Sequence, residues 1–317
     1  MSRFTTNAHV LFAVFAAIMG FFYSGNIWMV LSKFENSEKK WFVWLLIVMF
    51  IMLVPIYQIN GLRMWTGLHV FVYGALSYFL RNKKSALLWI IATPLIHFSY
   101  IFFVFLFFLF FILPKKGYFV YFVFFFLSAF VDNLQDIIPI KDFLLKYSPE
   151  FLHTKINEYM IDGYSEYEAD MMNELTLYVK LVPMSLKVFI YLFIAYIWIN
   201  FKKLVHTDEQ KKILFLFLFL AGVVQLLSSL PQMVRFDRLI HVFFFVYAIL
   251  LFSNGEKYNI KVYRYGIYVS FLLFLPLFFA FRLGAEYYGL SMLVGNYISI
   301  IFIEDNQPFI MLKDLLL

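Results

Sequence analysis

The chain has no cysteine. That excludes a disulfide framework and any thiolate metal site, and it leaves the redox compartment undetermined. No polar stretch is long enough to fold as a soluble domain of its own. Period-two alternation is also missing: the apolar runs are continuous, which excludes a β-barrel. No basic run with interleaved aromatics is present. The formal net charge of +6 therefore gives no reason to expect nucleic acid as a partner. Residues 1–8 are polar and lead straight into an apolar run, which excludes a secretory leader. Walker, zinc and serine-hydrolase spacings do not occur, and no internal repeat is evident.

What is present is oil. The 317 residues are 63% hydrophobic, with 44 phenylalanines and a mean hydropathy of +0.80. Helices satisfy their own backbone hydrogen bonds in lipid. The fold class expected is therefore all-α: a polytopic integral membrane protein with about nine to ten membrane-embedded segments. Apolar stretches fall near 9–31, 41–57, 62–80, 86–113, 118–131, 177–201, 213–230, 239–252 and 267–281. Together they make one membrane domain over 1–317. The Phe-rich run at 101–111 reads as a lipid-facing helix.

Basic links set the orientation. Lys33, Lys39, Lys40, Arg81, Lys83, Lys84, Lys115, Lys116, Lys202, Lys203, Lys211, Lys212, Lys257, Lys261 and Arg264 lie in or beside such links and are expected in the cytoplasm. Both ends of 86–113 then face the same side. As one helix this run would be about 42 Å long, against a hydrocarbon core of about 30 Å. A re-entrant hairpin bending near Pro94 to Ser99 resolves the parity and puts His97 in a protein-lined cavity. The alternative is a single tilted helix. The links at 58–61 and 231–238, the loop 132–176 and the tail after 282 face the outer side. That loop carries ten acidic residues and three lysines; Lys141 to Tyr147 and Phe151 to Met160 within it are amphipathic and suit a membrane surface.

Polar residues inside membrane-grade sequence are the candidates for function. Asn60 and Arg63 open the third segment on the outer side, and Arg63 can fork onto a phosphate or carboxylate. A helix N-terminus there favours an anion; a snorkelling arginine is the other reading. His97, with Ser99 beside it, suits a base that orients a hydroxyl nucleophile, or else a buried histidine bonded to a carbonyl. Arg235 and Arg238 share one helical face, and Asp237 and His241 another. Two outward arginines suit a diphosphate; a solvated loop with an internal ion pair is the alternative. His69, His153 and His206 lack metal-ligand spacing and read as structural. All three clusters fall on the predicted outer face, His97 on condition of the hairpin, which describes an anion-handling pocket.

Asn60-Gly61-Leu62-Arg63-Met64-Trp65-Thr66-Gly67, about twenty apolar residues, a short basic turn and Ile96-His97-Phe98-Ser99 resemble the core of the EpsG/Wzy-type polysaccharide polymerases. The resemblance covers 9–113, and 210–255 more loosely through Arg235-Phe236. It implies polymerisation of undecaprenyl-diphosphate-linked oligosaccharide repeat units at the outer face of the bacterial inner membrane, for O-antigen (lipopolysaccharide), capsule or exopolysaccharide. Arg63, Arg235 and Arg238 would neutralise the leaving diphosphate. His97 would activate the acceptor hydroxyl. Asn60, Ser99 and Asp237 would bind substrate, and Tyr147, Tyr159, Tyr164 and Tyr167 of the outer loop would hold saccharide. No cofactor or metal is implied; the bilayer, a flippase and a chain-length regulator are the implied partners. The start departs from the family pattern, which usually has further N-terminal spans, so a truncated or short variant is expected. Competing readings are a membrane O-acyltransferase, a lipid-oligosaccharide transporter and a non-catalytic membrane subunit. His9 at the edge of the first segment fits the first poorly. The transporter reading asks for paired helix breaks, of which the sequence offers one.

Overall fold

The computed structural model describes residues 8–34, 41–54, 61–113, 117–130, 138–159, 174–205, 207–228, 233–252 and 260–287. Among these residues every regular element is helical. The helices are α1 (Ala8–Leu31), α2 (Trp41–Met52), α3 (Leu62–Arg81), α4 (Leu87–Ile96), α5 (Tyr100–Ile112), α6 (Tyr118–Ser128), α7 (Ile138–Tyr147), α8 (Glu150–Tyr159), α9 (Leu177–Ile199), α10 (Asp208–Leu226), α11 (Met233–Leu250), α12 (Ile260–Val269) and α13 (Phe271–Tyr287). Each expected apolar stretch contains helix, and the two amphipathic stretches of the acidic loop are α7 and α8. Helix lengths support two full crossings, Ala13–Leu31 and Leu177–Ile199. A third arises if α12 and α13, bent by 56° at their junction, count together. Lengths do not by themselves establish the nine to ten segments expected.

Residues 86–113 double back. Gly74 of α3 lies against Ala86 and Ile90: a Cβ there would stand 2.6 Å from Ile90 Cγ1 and 3.0 Å from the Ala86 carbonyl oxygen. The far end of α5 returns to the same level, with Tyr78–Phe111 ring centroids at 5.4 Å and Phe79–Phe107 at 5.8 Å. Between these ends the chain rises to the start of α3, where the Tyr100 hydroxyl donates to the Met64 carbonyl at 3.0 Å. A single helix would hold Ile90 and Phe111 roughly 30 Å apart at 1.5 Å per residue. Gly74 and Phe79 are only five residues apart, so α4 and α5 form the hairpin.

Local chemistry explains both turns of this unit. Asn82 ends α3 in the left-handed region (φ 53°), which asparagine tolerates better than most residues. The Asn82 N–H reaches back to the Ser77 carbonyl, and the Lys83 N–H shares the same carbonyl at 3.2 Å, so the end of the helix is closed by its own backbone. Arg81 in the last turn complements the helix dipole. At the top, Pro94 has no N–H for the Ile90 carbonyl. The Thr93 hydroxyl takes that carbonyl at 2.6 Å, so the weakened turn keeps its hydrogen bond where water is scarce. His97 follows with extended backbone (φ −147°, ψ 118°), and Ser99 opens α5.

The Phe-rich run was expected to face lipid, but only one side of α5 is exposed. Phe103 and Phe107 are fully buried against α3, whereas Ile101, Phe105 and Ile112 are exposed. A run that is apolar all round shows no helical stripe, so its buried side is set by neighbours.

Among the described residues, Lys33 and the Lys211 end of α10 lie at one end of the bundle, while Lys39, Lys40, Lys115, Lys116 and Lys257 fall outside the described residues. Lys33 pairs with Glu209 at 2.9 Å. Gln210, in a capping box with Thr207, also donates to the Leu250 carbonyl at 3.0 Å. Helices α3 and α11 run parallel, as the Trp65–Arg238 and Phe71–Phe243 contacts require. Arg81 and Lys83 therefore share that end, and the starts of α3 and α11 lie at the opposite one.

Candidate functional site

Three elements meet at that opposite end: the first turn of α3, the break between α4 and α5, and the first turns of α11. Sequence placed 231–238 in a link, but helix begins at Met233. Arg235, Asp237 and Arg238 therefore project from a rigid rod rather than from a loop. Phe236 holds the rod in place. It is 1% exposed, with its ring 4.2 Å from Phe103 and 5.4 Å from Tyr100, centroid to centroid. Tyr100 is tied to the first turn of α3 through Met64, and its ring fills the space that a Cβ on Gly67 would occupy, at 2.7 Å.

Around this aromatic core the cations converge. The charges of Arg63 and Arg235 both act on the His97 imidazole. Arg63 and Arg235 are exposed, His97 is half-buried, and neither arginine forms an ion pair among the described residues. His97 Nδ1 is buried without a hydrogen-bond partner. Arg238 lies over the Trp65 indole, its guanidinium carbon 4.7 Å from the ring centroid, in cation–π range. The four residues singled out for catalysis thus come from three segments and meet at one end. Ser99 occupies the N-cap position of α5 without a side-chain cap bond. Asp237 is exposed and belongs to a different neighbourhood, near Tyr191 of α9. Asn60, Tyr164, Tyr167 and His206 lie outside the described residues.

The histidines read as structural behave so where described. A His69 ring nitrogen meets the Val54 carbonyl at 3.1 Å, and the His153 Nε2 meets the Ser148 carbonyl at 3.0 Å. Sequence reasoning missed Trp65 and Tyr100. Both adjoin a chosen residue, but an aromatic in an aromatic-rich chain carries no signal of its own. It also missed Lys187, a cation midway along the apolar α9, which did carry one.

Arginines on two helices, beside a histidine and at a helix start, form a site that can hold a dianionic group and orient a hydroxyl near it. Among known families, the model of the EpsG family matches residues 1–299. No curated protein matches the chain, and no solved structure does.

Proposed function

The chain belongs to the EpsG family, and from that premise we propose that it joins undecaprenyl-diphosphate-linked oligosaccharide repeat units at the outer face of the bacterial inner membrane. Family membership and the apolar helices make it a membrane protein with a polysaccharide-polymerase-like role. The reaction, substrate and side of the membrane are our reading. One observation carries it: Tyr100, whose ring centroid lies 6.2 Å from His97 and 5.4 Å from Phe236 and whose hydroxyl bonds to the Met64 carbonyl, draws the helix starts bearing Arg63 and Arg235 to the break at His97.

In the proposed reaction a hydroxyl of the acceptor sugar attacks the anomeric carbon of the donor chain. The new glycosidic C–O bond forms as the bond from that carbon to the lipid diphosphate breaks. Negative charge grows on the diphosphate, and Arg63, Arg235 and Arg238 stabilise it. His97 takes the hydroxyl proton and passes it on to the departing diphosphate or to water. Ser99 and Asn60 supply hydrogen bonds to sugar or phosphate.

The test is complementation of a polymerase-deleted strain that makes the cognate repeat unit, scored by its polysaccharide ladder. Wild type is expected to restore the ladder. Arg63→Ala and His97→Ala, at matched membrane levels, should cut polymerisation roughly a hundredfold or more, as loss of a transition-state donor does, and leave single repeat units. A full ladder from both variants would sink the reading.

A further inference from the structure

A second polar cluster lies on the other side of α11, where α9, α10 and α11 meet. Lys187 sits ten residues into α9, a helix long and apolar enough to cross a membrane. Lys187 is exposed at the side of α9, and a cation at such a depth is kept for a task or a polar partner. Its ammonium lies 6.0 Å from the Tyr191 ring centroid, and its charge reaches His241. Asp237 adds a carboxylate near Tyr191. The Tyr191 ring is fixed by stacking on Phe125, with centroids 5.0 Å apart. Its hydroxyl is buried beside the Gln225 amide, without a hydrogen bond of good geometry. Gln225 is held in turn by Ser128, whose hydroxyl donates to Gln225 Oε1 at 2.7 Å, leaving the amide N–H groups to point elsewhere.

The chemistry of this cluster differs from that of the arginine site. It offers a carboxylate, an amide, a phenol and one ammonium, all of which exchange hydrogen bonds with hydroxyls. The arginine site offers guanidinium groups, which favour phosphate. Arg238 joins the two, because it lies on Trp65 and its charge also reaches His241. The two sites thus adjoin across α11.

Resting on the function proposed above, we infer that Lys187, Tyr191, Gln225 and Asp237 form a saccharide subsite that binds hydroxyls of the repeat unit beyond the reacting sugar. Here the protein reads which oligosaccharide it has been given, while the arginines read only the diphosphate that all such lipids share.

The experiment compares two probes on purified full-length protein in detergent. One is sugar-free undecaprenyl diphosphate. The other is the lipid-linked repeat unit extracted from the polymerase-deleted strain. Lys187→Met and Gln225→Leu should each weaken binding of the repeat-unit lipid at least fivefold and leave the sugar-free lipid within twofold of wild type. Tyr191→Phe keeps the stacking on Phe125 and removes only the hydroxyl, so it separates a lost contact from a damaged fold and should act in the same direction. Equal weakening of both probes, or of neither, would overturn the subsite. Failure of wild type to bind the sugar-free lipid while Lys187→Met alters the other probe would overturn the diphosphate reading and leave a saccharide site standing. Failure of wild type to bind either would overturn both.

Discussion

Trp65 holds a guanidinium by its face. A carboxylate in the same place would fix Arg238 equally well, but it would neutralise the charge that a diphosphate needs. The indole gives about 0.5–2 kcal/mol of attraction and, unlike a carboxylate, does not take up the N–H donors at the edge of the guanidinium. Trp65→Ala should lower polymerisation by about tenfold, through a looser Arg238, with little change in protein level. Trp65→Phe should recover most of the loss because it keeps a face. The check is the ladder together with repeat-unit turnover in membranes; equal activity of Trp65→Ala and wild type would remove Trp65 from the site. His97 shows how a residue and its setting divide the work. The extended backbone at the break lets its side chain leave the helix surface, and Pro94 three residues earlier weakens the turn beneath it.

Among the elements, the α3–α4–α5 unit depends on two close approaches. At Gly67 the obstacle to a side chain is the Tyr100 ring, which can swing; at Gly74 it includes the Ala86 carbonyl and the Ile90 amide nitrogen, which cannot move without the helix. Gly74→Ala should therefore destabilise the protein by about 1–3 kcal/mol from overpacking, partly offset by alanine's helix preference of about 1 kcal/mol. Gly67→Ala should cost less stability and more activity, because it displaces the Tyr100 ring that sets Met64 and Phe236. Thermal unfolding in detergent beside the ladder assay checks this. A melting temperature for Gly74→Ala at or above that of wild type would contradict the close approach. The hairpin itself was legible in the sequence, since basic residues flanking 86–113 demanded an even number of crossings. The buried side of α5 was not, because a run as rich in phenylalanine as 101–111 looks alike all round. The bend between Val269 and Ser270 was also invisible: Ser270 stays within its own turn, donating to the Ile267 carbonyl at 2.7 Å, and nothing in the composition marks it.

For the whole molecule, the described basic residues Lys33, Arg81 and Lys83 lie at one end and the arginine–histidine site at the other, the separation that the expected orientation requires. The absence of native cysteine makes this testable with single introduced thiols. Lys83→Cys and Gly117→Cys should react with an impermeant maleimide from the same side of the membrane, the cytoplasmic one, and only after permeabilisation. Labelling of Gly117→Cys from the outside in intact cells would refute the hairpin in the membrane. Sequence reading located the arginine site because Arg63, His97, Arg235 and Arg238 are each conspicuous in apolar surroundings. It did not locate the second cluster: Lys187 alone stood out in its apolar helix, and its neighbours come from other helices. Gln225, Tyr191 and Ser128 are unremarkable until α6, α9 and α10 bring them together.

Gln210 closes its own helix cap and at the same time grips the Leu250 carbonyl at the end of α11. Fifteen residues, or roughly 22 Å of helix, separate that grip from Arg235. The helix therefore works as a ruler with its zero mark at the basic end of the bundle. Adding or removing one residue anywhere along it would rotate the arginines by about 100° relative to the clasp and would swing Phe236 out of its seat against Phe103. The depth and aim of the cationic site are thus calibrated at the opposite end of the protein, by one uncharged side chain.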